Sequence, residues 1–148
     1  LGDLAGWYEE NVGEDFMACR SQIAQILQEE NKLMEIVKLI GADVLPDDQK
    51  LAIEIARVIR TGFLQQNAYH QDDTYVPMEK QLKMMRIILH LYKSAQKLVA
   101  RSIPLSQLTA TGLFDEVSRI KYDVPNDHLE LLDGYFQKID EAMRKLDQ

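Results

Sequence analysis

The sequence predicts an all-α domain, an irregular bundle of about five to six helices. Three observations carry that expectation. Apolar residues recur at three- and four-residue intervals over most of the chain. Glycine and proline fall mostly between the periodic runs, at Gly41, Gly62, Gly112 and the prolines. No segment alternates convincingly enough for a strand.

Leu4 to Glu10 reads as a short helix carrying Trp7 and Tyr8. The next helix starts near Asp15, which suits a cap, and runs to Ile40, with Gly41 in the position after its end. Its stripe is Phe16, Cys19, Ile23, Ile26, Leu27, Leu33, Ile36, Val37 and Ile40, with one gap at Glu30. After a loop at residues 42–45, Pro46 suits the first turn of a helix, and Asp47 and Asp48 complement its positive end. That helix runs to about Thr61 and buries Leu51, Ile55, Val58 and Ile59.

Gly62 breaks the pattern, and Phe63 to Val76 shows neither a helical nor a strand period. A long helix resumes at Pro77 and reaches about Ala100. Ile103 to Ala110 is a connector with one helical turn, and Thr111 caps a short helix ending near Lys121. Pro125, Asn126 and Asp127 open the last helix, where Leu129, Leu132, Phe136, Ile139, Met143 and Leu146 form a seam. The seam reads as a packing face within the domain; a coiled-coil dimer is the sharper alternative, but the run is short for one.

The 148 residues fit one domain, 1–148, and 46% hydrophobic with 28% charged residues is a globular composition. A net charge of −7 argues against a nucleic-acid surface, which needs clustered Lys and Arg; it suits solubility or a basic protein partner. Cys19 is alone, so no internal disulfide forms, and it reads as a small buried filler rather than a nucleophile. No apolar run is long enough to span a membrane, and Leu1 to Asn11 lacks the pattern of a signal peptide. The chain does not begin with Met, which fits a piece of something larger.

Few residues suggest chemistry. His70, His90 and His128 lie far apart and read as solvated surface groups, not metal ligands. There is no GxxxxGK phosphate loop, no GxGxxG and no GxSxG. Met84 and Met85 read as core filler, and Lys80, Lys83 and Arg86 as a basic stripe on a solvated helix face. Asp47 and Asp48 read as dipole complements; Asp72 and Asp73 stay open because their loop is unusual.

That loop stands out. It combines Phe63, Tyr69 and Tyr75 with Gln65, Gln66, Asn67 and His70. Aromatic faces and amides suit a planar heterocycle such as adenine; the alternative is a loop pinned to the domain by its aromatics.

The same loop carries a resemblance. GFLQQNAYHQDDTYVPMEKQ, residues 62–81, closely resembles the C-terminal domain of the catalytic alpha chain of V-type and archaeal A-type rotary ATPases. Residues 35–69 look like that family's helix-loop-helix ahead of the motif, and WYEEN at 7–11 resembles the segment where its helical domain begins. The region of Arg119, Ile120, Lys121 and Tyr122 also fits, so the likeness covers nearly the whole chain.

The resemblance implies a division of labour. The nucleotide-binding core, with ATP or ADP and Mg, would lie upstream in a larger parent chain, leaving this one without catalytic residues or a cofactor of its own. Tyr69, with Ala68 and Phe63, would stand on the adenine side; the family more often has Phe at position 69. The loop Asp43, Val44, Leu45, Pro46, Asp47, Asp48, Gln49 would face the central rotor stalk. Partners would be the other members of the A/B catalytic hexamer and the stalk, with no nucleic acid and no membrane insertion. The location would be cytoplasmic, peripheral to the membrane, and the pumped ion H⁺ or Na⁺. Asp72 stands where the family usually has Val, and Leu45-Pro46 replaces a capping Ser. A free-standing helical adaptor, binding through the Leu129–Leu146 seam, is the alternative function.

Overall fold

The computed structural model describes the backbone of residues 2–64 and 76–147, and side chains within 14–62 and 76–147. Every regular element among them is helical. α1 spans Gly2–Ile40, a 3-10 turn covers Ala42–Val44, and α2 spans Asp47–Ile59 before a π-helical turn at Arg60–Leu64. α3 is Met78–Ala100, α4 Leu105–Thr109, α5 Leu113–Ser118 and α6 Ile120–Asp123. A 3-10 turn at Leu129–Leu132 leads into α7, Asp133–Leu146.

α2 lies at the centre. Its Leu51, Ile55, Ala56, Val58 and Ile59 have no exposed surface and touch α1, α3 and α5. The expected burial of Leu51, Ile55, Val58 and Ile59 therefore holds. Met84 and Met85 lie in the same core, as does Cys19. α7 closes the opposite side of α3 by inserting Leu132, Ile139 and Met143. The seam is thus spent inside the domain, and the adaptor alternative loses its binding face.

Three expectations need correction. The first 40 residues are not two helices but one, and Asp15 caps nothing. Gly6 and Gly13 are weak breakers: each costs about 1 kcal/mol against Ala, while only proline removes a donor from the ladder. Asp15 lies within α1 and accepts a hydrogen bond from Arg86 at 2.6 Å.

The stripe of α1 also changes along its length. Cys19, Ile23, Ile26 and Leu33 are buried, but Ile36 and Ile40 are exposed, so the last turns overhang the body. The gap in the stripe is filled from across the core: Glu30 is 4% exposed and pairs with Arg60.

The third correction concerns the basic stripe of α3. Lys80 is 1% exposed, and Lys83 and Arg86 are paired with Asp133 at 3.4 Å and Asp15 at 2.6 Å. A lysine reaches a buried position only if its ammonium finds acceptors, and Lys80 finds backbone carbonyls.

Turns are set by backbone chemistry. Gly41 ends α1 at φ +90°, where its N–H donates to Val37 O at 2.8 Å. Ser102 takes the same role after α3 at φ +69°, and Ile103 N–H then returns to Leu98 O at 3.0 Å. Thr111 does contribute at its predicted place: its Oγ1 accepts from Leu113 N–H at 3.2 Å.

Candidate functional site

The α1–α2 connection is the first candidate. Leu45 is 6% exposed and sinks into the domain, so it anchors the loop instead of presenting a side chain. Leu45 N–H closes the 3-10 turn on Ala42 O at 3.1 Å. Pro46 O accepts from Gln49 and Lys50 N–H at 3.1 and 3.0 Å, opening α2. Asp47 is half-buried, and its carboxylate accepts from Leu105 N–H at 2.9 Å, which ties the loop to α4. Asp43 and Val44 remain exposed, and Asp48 is half-buried.

Beside those acids lies an apolar tip, part of which the periodicity assigned to the core. Leu39, Ile40 and Val44 are 85%, 62% and 60% exposed. The adjacent Leu39 and Ile40 carried the signal, because two neighbours on a helix cannot share one face. The tip combines apolar side chains with a carboxylate rim, the composition of a protein-docking surface.

The second candidate is the segment after α2. Phe63 lies on the π-helical turn, with its side chain outside the described residues; Ala68 and Tyr69 are outside them altogether, as are His70, Asp72, Asp73 and Tyr75. Both flanks are defined. At the upstream flank, a Cβ on Gly62 would lie 2.6 Å from Ser118 O and 2.9 Å from Ser118 Cα, so the π turn and the end of α5 approach as only glycine allows. At the downstream flank, Gln81 donates to Val76 O at 2.8 Å. Lys80 Nζ donates to Lys121 O at 3.1 Å, Val124 O at 2.5 Å and Asn126 Oδ1 at 3.0 Å. Burial pushes the Lys80 ammonium below its usual pKa, and the charge of Lys121 adds to that.

Other titratable groups serve packing. His90 and Asp140 meet at 2.6 Å between α3 and α7, with the imidazole edge-on to Phe136. His128 lies 3.2 Å from Glu130. Burial pushes the Cys19 thiol up, which leaves it protonated and unreactive at neutral pH. Among the described residues no three His, Cys, Asp or Glu side chains converge on a metal position, and no helix is long and apolar enough to cross a membrane.

Comparison with known proteins agrees with these positions. The family model of the C-terminal domain of V and A type ATP synthase matches residues 5–109. The chain is 46% identical, over 96% of its length, to the V-type ATP synthase alpha chain 2 of Clostridium tetani, and covers 25% of that protein. It is 43% identical over 99% of its length to the V-type ATP synthase alpha chain of Halothermothrix orenii, again 25% of the relative. With the corresponding catalytic-type chain of the A-type ATP synthase of Methanopyrus kandleri it shares 38% identity over its whole length and 24% of the relative. The chain therefore spans about a quarter of the length of the curated relatives it matches. By the family model and by these relatives, the chain belongs to the C-terminal domain family of the V and A type ATP synthases.

Proposed function

We propose that this chain is the helical C-terminal part of the catalytic alpha chain of a V/A-type rotary ATP synthase. In that setting it couples ATP hydrolysis or synthesis to rotation of the central stalk and so to ion transport. The supporting observation is the alignment of the whole chain with chains of V-type and A-type ATP synthases.

The chain's own residues would act mechanically. The continuous core from α1 to α7 suits a rigid lever, because packed interiors transmit displacement rather than absorb it. The tip with Asp43, Val44, Asp47 and Asp48 would press on the stalk, and Leu45 would hold the tip to the lever. Isolated exposed acids contribute only about 0.2–1 kcal/mol each, so the apolar side chains would carry most of that contact. Tyr69, with Ala68 and Phe63, would form one wall of the adenine pocket. The phosphates and Mg would be held by residues upstream, since this chain has no phosphate loop. The surrounding A/B hexamer and a peripheral position on the cytoplasmic side of the membrane complete the reading.

The experiment uses the assembled enzyme. Tyr69→Ala should raise KM for ATP, and Tyr69→Phe should restore it, because stacking needs the ring and not the hydroxyl. Leu39→Ser with Val44→Ser should lower ion transport per ATP hydrolysed. The purified chain alone should not hydrolyse ATP; reproducible hydrolysis by it would overturn the reading.

A further inference from the structure

Both flanks of the 65–75 segment end on the same short stretch, and that stretch lies beyond the residues 5–109 that match the family model. We infer that residues 118–126 form a clamp for this segment, with Gly62 and Lys80 as its two positioning residues.

The upstream hold is steric. Ser118 is 5% exposed at the end of α5, and its hydroxyl donates to Asp115 O at 2.6 Å. Its backbone is therefore fixed where Gly62 meets it. One turn before Gly62, Arg57 reaches Asp115 at 3.0 Å, a second tie between α2 and α5.

The downstream hold is polar. Lys80 is a buried cation whose partners are two main-chain carbonyls and one amide oxygen. A methionine or leucine would fill the same volume without the cost of desolvating a charge. What the ammonium adds is direction: it fixes where α3 begins relative to residues 121–126, which stand 41 to 46 positions away in sequence. The base of the clamp is itself fixed, because Ile120 and Val124 are 1% and 3% exposed in the core. Lys121 and Val124 lie in and just after α6, whose last carbonyls have no partner within the helix and suit a cation.

The functional consequence rests on reading Tyr69 as an adenine wall; the clamp does not. In the assembled enzyme, Lys80→Met should leave overall protection from hydrogen exchange intact and raise exchange in peptides covering residues 65–75. KM for ATP should rise by about tenfold, far more than kcat falls, the pattern of a displaced binding wall. Asn126→Ala removes one acceptor without emptying the core and should give a smaller effect of the same direction. Raised exchange in 65–75 with unchanged KM would support the clamp and remove the adenine reading. Unchanged exchange there in both variants would overturn the clamp, as would a uniform rise across all helices, because Lys80 would then be a general stabiliser.

Discussion

The guanidinium of Arg60, on the first residue of the π-helical turn, lies on the carboxylate of Glu30, buried in the middle of α1. Glu30 is 4% exposed, whereas the Arg60 side chain is 51% exposed. The two partners are therefore unequal. Removing arginine strands a buried charge; removing the acid strands a half-solvated one.

Arg60→Ala should consequently cost about 1–3 kcal/mol of unfolding free energy, below the usual loss for a fully buried pair because water still reaches the site. Glu30→Leu should change stability by less than about 1 kcal/mol, since leucine continues the stripe of Ile23, Ile26 and Leu33. Urea titration of both variants checks the asymmetry, and equal losses would refute it.

Gly62 and Gly134 make a second contrast. A Cβ at Gly62 would overlap the Ser118 main chain at 2.6 Å, and main chain in a fixed helix end cannot retreat cheaply. Nothing lies within 4 Å of a Cβ at Gly134, in the first turn of α7. Gly62→Ala should destabilise by about 1–3 kcal/mol, and Gly134→Ala should stabilise by roughly 0.5 kcal/mol through helix propensity. Thermal unfolding separates them by sign; a stable Gly62→Ala variant would contradict the close approach.

How much of this was legible in the sequence depends on which force does the work. α2, α3 and α7 were readable because burial writes a 3.6-residue period into Leu51–Ile59, Leu82–Leu98 and Leu132–Met143. The true length of α1 was not, because Gly13 looks like punctuation but merely weakens a helix that the rest of α1 sustains. Glu30 was noticed only as a gap, since its partner Arg60 lies 30 residues on, across the core.

The candidate sites divide in the same way. The acidic loop at 43–48 was found through resemblance, and the structure sorts it into exposed Asp43 and Val44, a buried Leu45 and the acids of the first α2 turn, where Asp47 is spent on Leu105 N–H. The Lys80 clamp had no signature at all. Two of its acceptors are main-chain carbonyls, which every residue possesses. Lysine in an amphipathic helix ordinarily marks solvent, and only the tertiary path of residues 118–126 reverses that.

Ile139 tests the last helix. It is fully buried between α7 and the body of the domain, at the middle of the seam. Ile139→Ala should cost about 2–5 kcal/mol. The loss should not depend on protein concentration, because the seam serves the fold rather than a dimer. Denaturation midpoints measured over a hundredfold concentration range decide this; a midpoint rising with concentration would return the coiled-coil reading.

Lys80 makes a prediction whose sign follows from linkage. Its folded pKa lies below the 10.5 of the unfolded chain. Below both values each state holds the proton, and the penalty of burying the charge is constant. Between the folded value and 10.5 the unfolded chain keeps its proton while the folded one has lost it. The unfolded state then binds more protons, so stability rises with pH across that window. Tyr92 and Tyr135, raised by burial, act oppositely above their ordinary value, and so does Cys19. These contributions are common to wild type and Lys80→Met and cancel in the difference between them. The stability of wild type relative to Lys80→Met should therefore climb as pH approaches 10.5 from below. Urea denaturation of both proteins at a series of pH values measures that difference. A difference that stays flat, or falls, would mean that the ammonium is not desolvated where Lys121 O, Val124 O and Asn126 Oδ1 enclose it.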